Sequence, residues 1–185
     1  GCKVKTFHRV EEILPHRKKI IVHDLQNDKH IECLYDQLLI ASGARAKIPN
    51  PDWLKAKNVF TIKNLRDSIE LKKFIESQHP RNAVIIGGGY IGMEMAEALA
   101  AHHLNITVLH RSPMPANTLE MESQKIILDE LQKHHVHFVG NVTAIDIPIE
   151  NGMAKNVVTN DQKVEADLIL LALGFTPNSE LASEI

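Results

Sequence analysis

The stretch at residues 81–111 constrains the fold most strongly, because its residues follow the order strand, glycine turn, helix and second strand without interruption. Residues 83–86 form a short apolar run rich in β-branched side chains, which favours a buried parallel strand. Good helix formers fill residues 93–101, and residues 106–109 return to the strand pattern. This order predicts the beginning of a βαβ unit.

Three glycines follow the first strand in a G-x-G-x-x-G pattern, formed by Gly87, Gly89 and Gly92. Gly87 can make the tight turn, Gly89 lets a pyrophosphate approach the backbone because it has no Cβ, and Gly92 lets helix and strand pack closely. Gly88 completes the glycine triplet, and the free N–H groups at the start of the helix would face the phosphates. In this context the pattern favours dinucleotide binding over a purely structural turn.

The residues that end the second strand bear on the choice of nucleotide. An NAD-binding unit usually has Asp or Glu about 20 residues past the glycines, where it accepts hydrogen bonds from the ribose 2′-hydroxyl. Here this place is taken by His110, Arg111 and Ser112, and no carboxylate stands there to repel a 2′-phosphate. Arg111 could clamp that phosphate, His110 could stack or donate, and Ser112 could add a hydroxyl. We therefore expect NADPH in preference to NADH, with Arg111 as a plain surface residue being the alternative.

Composition and charge bound the class of protein. A net charge of -2 and a pI near 6.6 give no support for binding nucleic acid or an anionic membrane surface. No apolar run approaches the roughly 20 residues of a membrane span. The two cysteines, Cys2 and Cys33, lack paired spacing, and free thiols are typical of a reducing cytosol. We therefore expect a cytoplasmic protein.

The pattern of the chain changes near residue 45. Before it, alternating residues and turns predict an antiparallel meander without a helix or a closed core, including strands at residues 30–34 and 37–41. Pro49-Asn50-Pro51 reads as a linker. The predicted domains are residues 1–45 as the edge of another domain, 46–173 as the nucleotide-binding domain, and 174–185 as the return.

The remaining segments complete the predicted architecture. Amphipathic helices are predicted at residues 64–78 and 120–134, and a strand at 136–139. Short strands at residues 142–148, 154–159 and 163–165 predict an inserted β-meander, and the apolar run at 166–173 predicts a central strand. The predicted class is α/β: a Rossmann-like domain with a parallel sheet and an inserted β-meander, preceded by partial strands of a second domain.

Four signatures in this order resemble the flavoprotein pyridine nucleotide-disulfide oxidoreductases along almost the whole chain. They are YDQLLIASGARAKIP, with Ser42 replacing the Thr of the family's Ala-Thr-Gly linker motif; VIIGGGYIGMEMAEAL; TVLHRS; and ADLILLALGFTPN, which contains the G-x-x-P-N motif from Gly174 to Asn178. The chain is most similar to the single-cysteine subgroup of CoA-disulfide reductases, NADH oxidases and NADH peroxidases. Its His-Arg-Ser sequence is most like that of a CoA-disulfide reductase.

The resemblance implies hydride transfer from NAD(P)H to FAD, with electrons passing on to a cysteine that faces the substrate. It implies that Tyr90 is an aromatic gate over the flavin, that Glu94 lies near the nicotinamide, and that Gly174 lies where the chain passes the cofactor. Ser42 and Gly43 match positions beside the FAD. The full predicted cofactor-binding set is Gly87, Gly88, Gly89, Tyr90, Ile91, Gly92, Glu94, His110, Arg111, Ser112, Gly174, Ser42 and Gly43.

The chain also departs from the family pattern. The flavin-binding G-x-G-x-x-G, the redox cysteine, the Ala-Ile-Gly-Asp motif and the C-terminal dimerisation domain of family members have no counterpart, and Cys2 and Cys33 match no catalytic position. We therefore expect no catalytic residue here. The chain would be a nucleotide-binding domain with the edges of a flavin-binding domain, unable to complete turnover alone, and the intact protein would be a homodimer.

Two functions other than that of an oxidoreductase could use a similar glycine turn. A non-catalytic module that senses NAD(P)H would need the same glycine turn, and flavin binding would distinguish it from an enzyme. A methyltransferase fits less well, because the meander and the G-x-x-P-N return have no place in it. The adjacent histidines at the ends of the predicted helices point in different directions, so no metal site is expected.

Overall fold

The structure is a computed structural model that describes residues 2–183. The chain divides into two compact units, one containing residues up to 45 and from 176 onward, the other containing residues 46–175. The strands are β1 (His8–Leu14), β2 (Lys19–Asp24), β3 (Lys29–Leu34), β4 (Ala44–Ala46), β5 (Val59–Thr61), β6 (Asn82–Ile86), β7 (Asn105–Leu109), β8 (His137–Val139), β9 (Ala144–Asp146), β10 (Ile149–Glu150), β11 (Met153–Ala154), β12 (Asn156–Thr159), β13 (Lys163–Glu165), β14 (Leu168–Leu171) and β15 (Phe175–Pro177). The α-helices are α1 (Leu65–Gln78), α2 (Tyr90–Ala100), α3 (Met121–Lys133) and α4 (Glu180–Ser183), and short 3₁₀ helices form at Pro15–Arg17 and Pro51–Lys55.

The smaller unit is built around an antiparallel sheet in the order β1-β2-β3. Ile13 and Val22 are its buried apolar side chains. The predicted strand at residues 37–41 is wrong: this segment has no strand structure, and Leu39 is 90% exposed. An apolar run forms a strand only where a partner offers hydrogen bonds, and the sheet ends at β3. The expectation of no helix before residue 45 also missed the turn of 3₁₀ helix at Pro15–Arg17.

The larger unit contains a five-stranded sheet in the order β5-β14-β6-β7-β8, in which all neighbours are parallel. This confirms the predicted α/β class with a parallel sheet. The edge strand β5 was not predicted, because its three residues are too short to show a periodicity. It forms by pairing with β14, where Val59 lies opposite Ile169.

The side chains of the parallel sheet alternate between two cores. Ile85 of β6 packs in a core that contains Leu99 of α2 and Leu131 of α3, so the helices cover this face. Ile86 packs in a second core with Val157 of β12, so the inserted strands cover the opposite face. The sheet is therefore buried on both sides, as its continuous apolar strands require.

The inserted meander is confirmed as an antiparallel sheet in the order β13-β12-β9, accompanied by the β10-β11 hairpin. The predicted linker at residues 49–51 is wrong in part, because Pro51 begins a 3₁₀ helix. Asn50 caps this helix by accepting a hydrogen bond from the Asp52 N–H at 3.0 Å. The helix buries Trp53, whose indole Nε1–H donates to Asp146 Oδ1 at 3.2 Å and so fastens the segment to the meander.

The predicted amphipathic helices are confirmed as α1 and α3. The start of α1 is fixed by a capping box, in which Asn64 Oδ1 accepts from the Asp67 N–H while the Asp67 carboxylate accepts from the Asn64 N–H. Within residues 2–183, no helix has the length and apolar character needed to cross a membrane.

Candidate functional site

A crevice of about 640 Å³ opens at the carboxyl ends of β6, β7 and β14. The sheet order reverses between β6 and β14, because successive strands run away from β6 on one side and β14 returns on the other. Open α/β sheets bind ligands at such a switch point. Lys47 and Arg111 bring positive charge to the lining, and none of the described residues that line the crevice is Asp or Glu. The crevice therefore suits an anionic ligand.

Gly87 and Gly92 allow the turn between β6 and α2 to close. Gly87 has φ +115°, and a Cβ there would lie 2.3 Å from the Ala172 carbonyl oxygen. A Cβ on Gly92 would lie 1.9 Å from the Gly87 carbonyl oxygen. The Gly87 N–H donates to the Leu109 carbonyl at 2.8 Å. These contacts bring the start of α2 directly against the end of β6.

Gly88 connects the glycine turn to the end of β7. Its N–H donates to His110 Nδ1 at 3.0 Å, and its carbonyl accepts from the Ala116 N–H at 2.7 Å. A Cβ on Gly88 would lie 3.0 Å from His110 Cγ and 3.1 Å from Phe138 Cε2, so only glycine fits without displacement of these rings. His110 is thus a structural partner of the turn, a role that the sequence did not indicate.

The imidazole of His110 is neutral in this arrangement, since Nδ1 accepts a hydrogen bond and the proton lies on Nε2. His110 is 9% exposed, and its Nε2 atom is buried without a partner among the described residues. Burial lowers the pKa of His110, and the positive charge of Arg111 lowers it further. The side chain is therefore held as an uncharged acceptor.

Gly89 differs from its neighbours, because a Cβ there would meet nothing within 4 Å. It is the N-cap of α2, with φ -84° and ψ -170°, and makes no side-chain cap. The fold therefore does not itself require glycine at this position, whereas a ligand approaching the backbone would. The first N–H groups of α2 have no intrahelical partner and carry the positive end of the helix dipole, which favours an anion at this place.

Tyr90 and Ile91, in the first turn of α2, also line the crevice. Tyr90 is 60% exposed, and its hydroxyl accepts a hydrogen bond from Thr118 Oγ1 at 3.1 Å. Glu94 is exposed one turn further along α2 and does not contribute to the lining. The structure thus brings Tyr90 and Ile91 to the crevice but leaves Glu94 outside it.

Arg111 is exposed at the mouth of the crevice, directly after His110. Ser112 is half-buried, and its hydroxyl accepts a hydrogen bond from Asn117 Nδ2 at 3.0 Å. Asn117 itself lines the crevice. Arg111, Ser112 and Asn117 therefore form a polar group at the end of β7.

Gly174 lines the crevice from the end of β14. It has φ +88°, and its carbonyl accepts from the Lys47 N–H at 2.9 Å, which brings Lys47 to the same lining. Ser42 and Gly43 belong to the smaller unit and do not line the crevice. There the Ser42 hydroxyl donates to the Asn178 carbonyl, and the Asn178 N–H donates to the Gly43 carbonyl at 2.9 Å.

Several lining residues were missed by sequence reasoning, because they come from segments distant in the chain. They are Lys47, Pro49, Trp53, Asn117, Thr118, Val142, Thr143, Ala144, Leu173 and Phe175. Sequence signals were present for Asn117 and Thr118, which lie in the loop after the second strand. They were also present for Lys47, Pro49, Leu173 and Phe175, which belong to two of the family signatures.

Comparison with known proteins confirms the resemblance. The family model described as pyridine nucleotide-disulphide oxidoreductase matches residues 1–185. The NAD(P)H coenzyme A polysulfide/persulfide reductase of Pyrococcus horikoshii is 36% identical over 151 residues, which are 82% of this chain and 34% of that protein. The structure of reduced Bacillus anthracis CoADR-RHD has a TM-score of 0.85 at 28% identity and covers 95% of this chain and 31% of that chain. This chain therefore spans about a third of the length of these relatives.

A further similar structure is an engineered water-forming NADPH oxidase bound to NADPH, derived from the NADH oxidase of Lactobacillus brevis. It has a TM-score of 0.80 at 25% identity and covers 96% of this chain and 39% of that chain. Of its five substitutions, three consecutive ones replace Asp, Ala and Met by Ala, Arg and Ser, and another replaces Gly by Ala.

Proposed function

Because this chain belongs to the pyridine nucleotide-disulphide oxidoreductase family, we propose that it is the NAD(P)H-binding part of a flavoprotein oxidoreductase. In the whole protein, a hydride passes from NAD(P)H to FAD, and the electrons pass on to a disulfide or oxygen-type acceptor. The chain spans about a third of its relatives, so the remaining steps depend on residues outside it.

The single observation that carries this proposal is the open space beside Gly89 at the start of α2. The other glycines of the turn are required by contacts within the protein, whereas Gly89 is not. This glycine lies beside helix N–H groups without an intrahelical partner, in a crevice whose described lining has two cationic side chains and no acidic one. Such a site suits a pyrophosphate.

We also propose that the chain binds NADPH in preference to NADH. In the engineered NADPH oxidase, the substituted Gly and the substituted Asp are separated by a certain number of positions. Gly92 and His110 are separated by the same number in this chain. On this register, Arg111 and Ser112 stand where that oxidase acquired Arg and Ser, and His110 stands in place of the original Asp. Matched in this way, the chain has Arg and Ser at two of the five substituted positions and no carboxylate at a third, whereas Gly92 stands where the oxidase carries Ala.

The side chains of the crevice would act by binding and orientation. Arg111 would form a charge-assisted bond to the 2′-phosphate, with Ser112 and Asn117 as further hydrogen-bond partners. Tyr90 stands at the start of α2 with its hydroxyl tied to Thr118, where its ring could cover the reacting face of the nicotinamide. FAD, when bound in the whole protein, supplies the redox chemistry, and this chain holds the hydride donor against it.

We also propose that residues 1–45 and 174–185 belong to the flavin-binding part. The bonds between the Ala-Ser-Gly segment and Asn178 support this, because they join the two motifs that the family resemblance places beside FAD. Arg45 adds two further contacts between these two segments. It donates a hydrogen bond to Asn178 Oδ1 at 3.0 Å and forms an ion pair with Glu180 at 2.6 Å.

A non-catalytic NAD(P)H-sensing module is the second candidate. The absorbance spectrum of the purified full-length protein distinguishes the two functions. The enzyme is expected to carry flavin absorbance that bleaches when NADPH is added without oxygen. Nucleotide binding with no flavin absorbance, even after incubation with FAD, would contradict the oxidoreductase proposal and favour the sensor.

A further inference from the structure

We propose that Glu11, His23 and His30 form a binding site for a divalent transition-metal ion of the zinc class. The three residues lie on neighbouring strands of the β1-β2-β3 sheet, in the smaller unit. One ligand atom from each lies within 4.8 Å of the other two. Two imidazole nitrogens and one carboxylate are ligands that Zn²⁺ and Co²⁺ readily accept, with a position left for water.

The strand pairing holds the two histidines together. His23 of β2 lies directly opposite His30 of β3 in the antiparallel register, and their rings stack with centroids 4.6 Å apart. Cross-strand partners have their Cβ atoms about 4.5–5.5 Å apart, so the pairing itself fixes the separation of the two imidazoles.

The carboxylate is supplied by an irregularity in β1. The register shifts between Val10 and Glu12, which makes Glu11 the extra residue of a β-bulge. A bulge redirects the side chain of its unpaired residue, and bulges recur next to functional sites. Here Glu11 Oε1 lies 3.1 Å from His23 Nδ1, and Oε2 lies 2.9 Å from His30 Nε2.

Asp28 adds an independent sign of a metal site. It lies in the β2-β3 turn with φ +51°, and its Oδ1 is 2.8 Å from His23 Nε2, the ring nitrogen that does not face Glu11. Histidines that bind metal ions almost always donate their other ring N–H to a carboxylate or carbonyl, which fixes the tautomer and leaves the first nitrogen free as a ligand. His23 has this arrangement, with Nδ1 as the ligand atom.

An ion can reach the site, because the side chains of His30 and Glu11 are 59% and 36% exposed. Without metal, each oxygen of the Glu11 carboxylate accepts a hydrogen bond from one of the two imidazoles. Binding replaces these hydrogen bonds by bonds to the ion, and each imidazole then binds it through an unprotonated ring nitrogen. Since the stacked rings are nearly parallel at 11°, His30 must turn about its side-chain torsions to direct Nε2 at the ion. The bound ion would then link all three strands.

The test is a titration of the 185-residue chain with CoCl₂ and with ZnCl₂, followed by the visible absorbance of bound Co²⁺ and by calorimetry. Wild type is compared with His30→Gln, Glu11→Gln and Asp28→Asn, and with His16→Gln as the matched control at an exposed histidine of the same unit. Because other histidines bind metal weakly, the difference between variants decides. Circular dichroism establishes that each variant is folded.

The expected result is one tight site in wild type and in His16→Gln. Asp28→Asn should weaken it by about 10- to 100-fold, as expected when a hydrogen-bond partner of a ligand is removed, and His30→Gln and Glu11→Gln should weaken it further. Equal affinities in wild type, His30→Gln and Glu11→Gln would overturn the proposal. If His30→Gln does not fold, Glu11→Gln decides alone, since it keeps the shape of the side chain and removes its charge.

Discussion

The Gly88 N–H donates to the Nδ1 atom of His110 at 3.0 Å, so the glycine turn after β6 is held by the residue that ends β7. The residue next to Arg111, which is expected to recognise the 2′-phosphate, thus supports the turn that would bind the pyrophosphate. Because His110 acts as the acceptor, its protonation state and the geometry of the turn are coupled.

Replacing His110 by Leu should lower the stability of the chain. The Gly88 N–H would remain buried without an acceptor, which costs about 1–3 kcal/mol of unfolding free energy. Urea denaturation measures this loss. His110→Asn, which keeps an acceptor oxygen, should lose less, and His137→Leu at an exposed position of β8 serves as the control. Equal stabilities for His110→Leu and His137→Leu would show that the bond to Gly88 contributes nothing.

The stability should depend on pH through His110. Burial and the Arg111 charge lower its pKa below the ordinary 6.5 in the folded chain. The unfolded chain takes up this proton at a higher pH, so the contribution of His110 is fully present above about pH 6.5 and is lost as the pH falls toward the lower folded pKa. Urea unfolding from about pH 8 to about pH 5 should show a smaller loss for His110→Asn than for wild type. Identical dependence of stability on pH in wild type and His110→Asn would show that His110 is not the group responsible.

Replacing Gly89 by Ser should separate binding from folding. Ser is at least as good an N-cap as Gly, so the unfolding free energy should stay the same or rise by a few tenths of a kcal/mol. The new side chain would occupy the open space and the helix N–H groups, so nucleotide affinity should fall at least tenfold, about 1.4 kcal/mol. Calorimetry and urea denaturation measure the two effects.

Gly87→Ala is the matched comparison for this variant. Its Cβ would meet the Ala172 carbonyl at 2.3 Å with a backbone at φ +115°, so it should destabilise the fold by about 1–3 kcal/mol. Unchanged nucleotide affinity in Gly89→Ser would mean that the open space beside Gly89 is not the pyrophosphate site.

Replacing Arg111 by Ala should weaken NADPH much more than NADH. One charge-assisted hydrogen bond contributes about 1.5–3 kcal/mol, which is roughly 10- to 150-fold in Kd. Arg66→Ala is the control, since Arg66 is an exposed arginine on α1 whose ion pair with Glu70 lies away from the crevice. An equal loss for both nucleotides would show that Arg111 does not recognise the 2′-phosphate.

The sequence predicted the segment from β6 to β7 well, because its elements are neighbours in the chain and each carries a strong local signal. The capping pair Asn64 and Asp67 likewise places the start of α1 by contacts within four residues. Local chemistry determines these features, so a single sequence is sufficient to predict them.

The features that the sequence did not predict share a different cause. The segment at residues 37–41 has the apolar run of a strand but no partner, and β5 has a partner but is too short to show a pattern. Trp53 follows two prolines that resemble a linker, yet Asp146, far along the chain, receives its indole hydrogen bond. Lys47 reaches the crevice through a bond to Gly174. Each depends on contacts between distant residues, which local pattern does not contain.

The most direct test of the central claim is a calorimetric titration of the 185-residue chain with NADPH and with NADH, side by side at low salt. We predict one nucleotide bound per chain, with NADPH bound more tightly than NADH because Arg111 pairs with the 2′-phosphate. Tighter binding of NADH, or no binding of either nucleotide, would contradict this account.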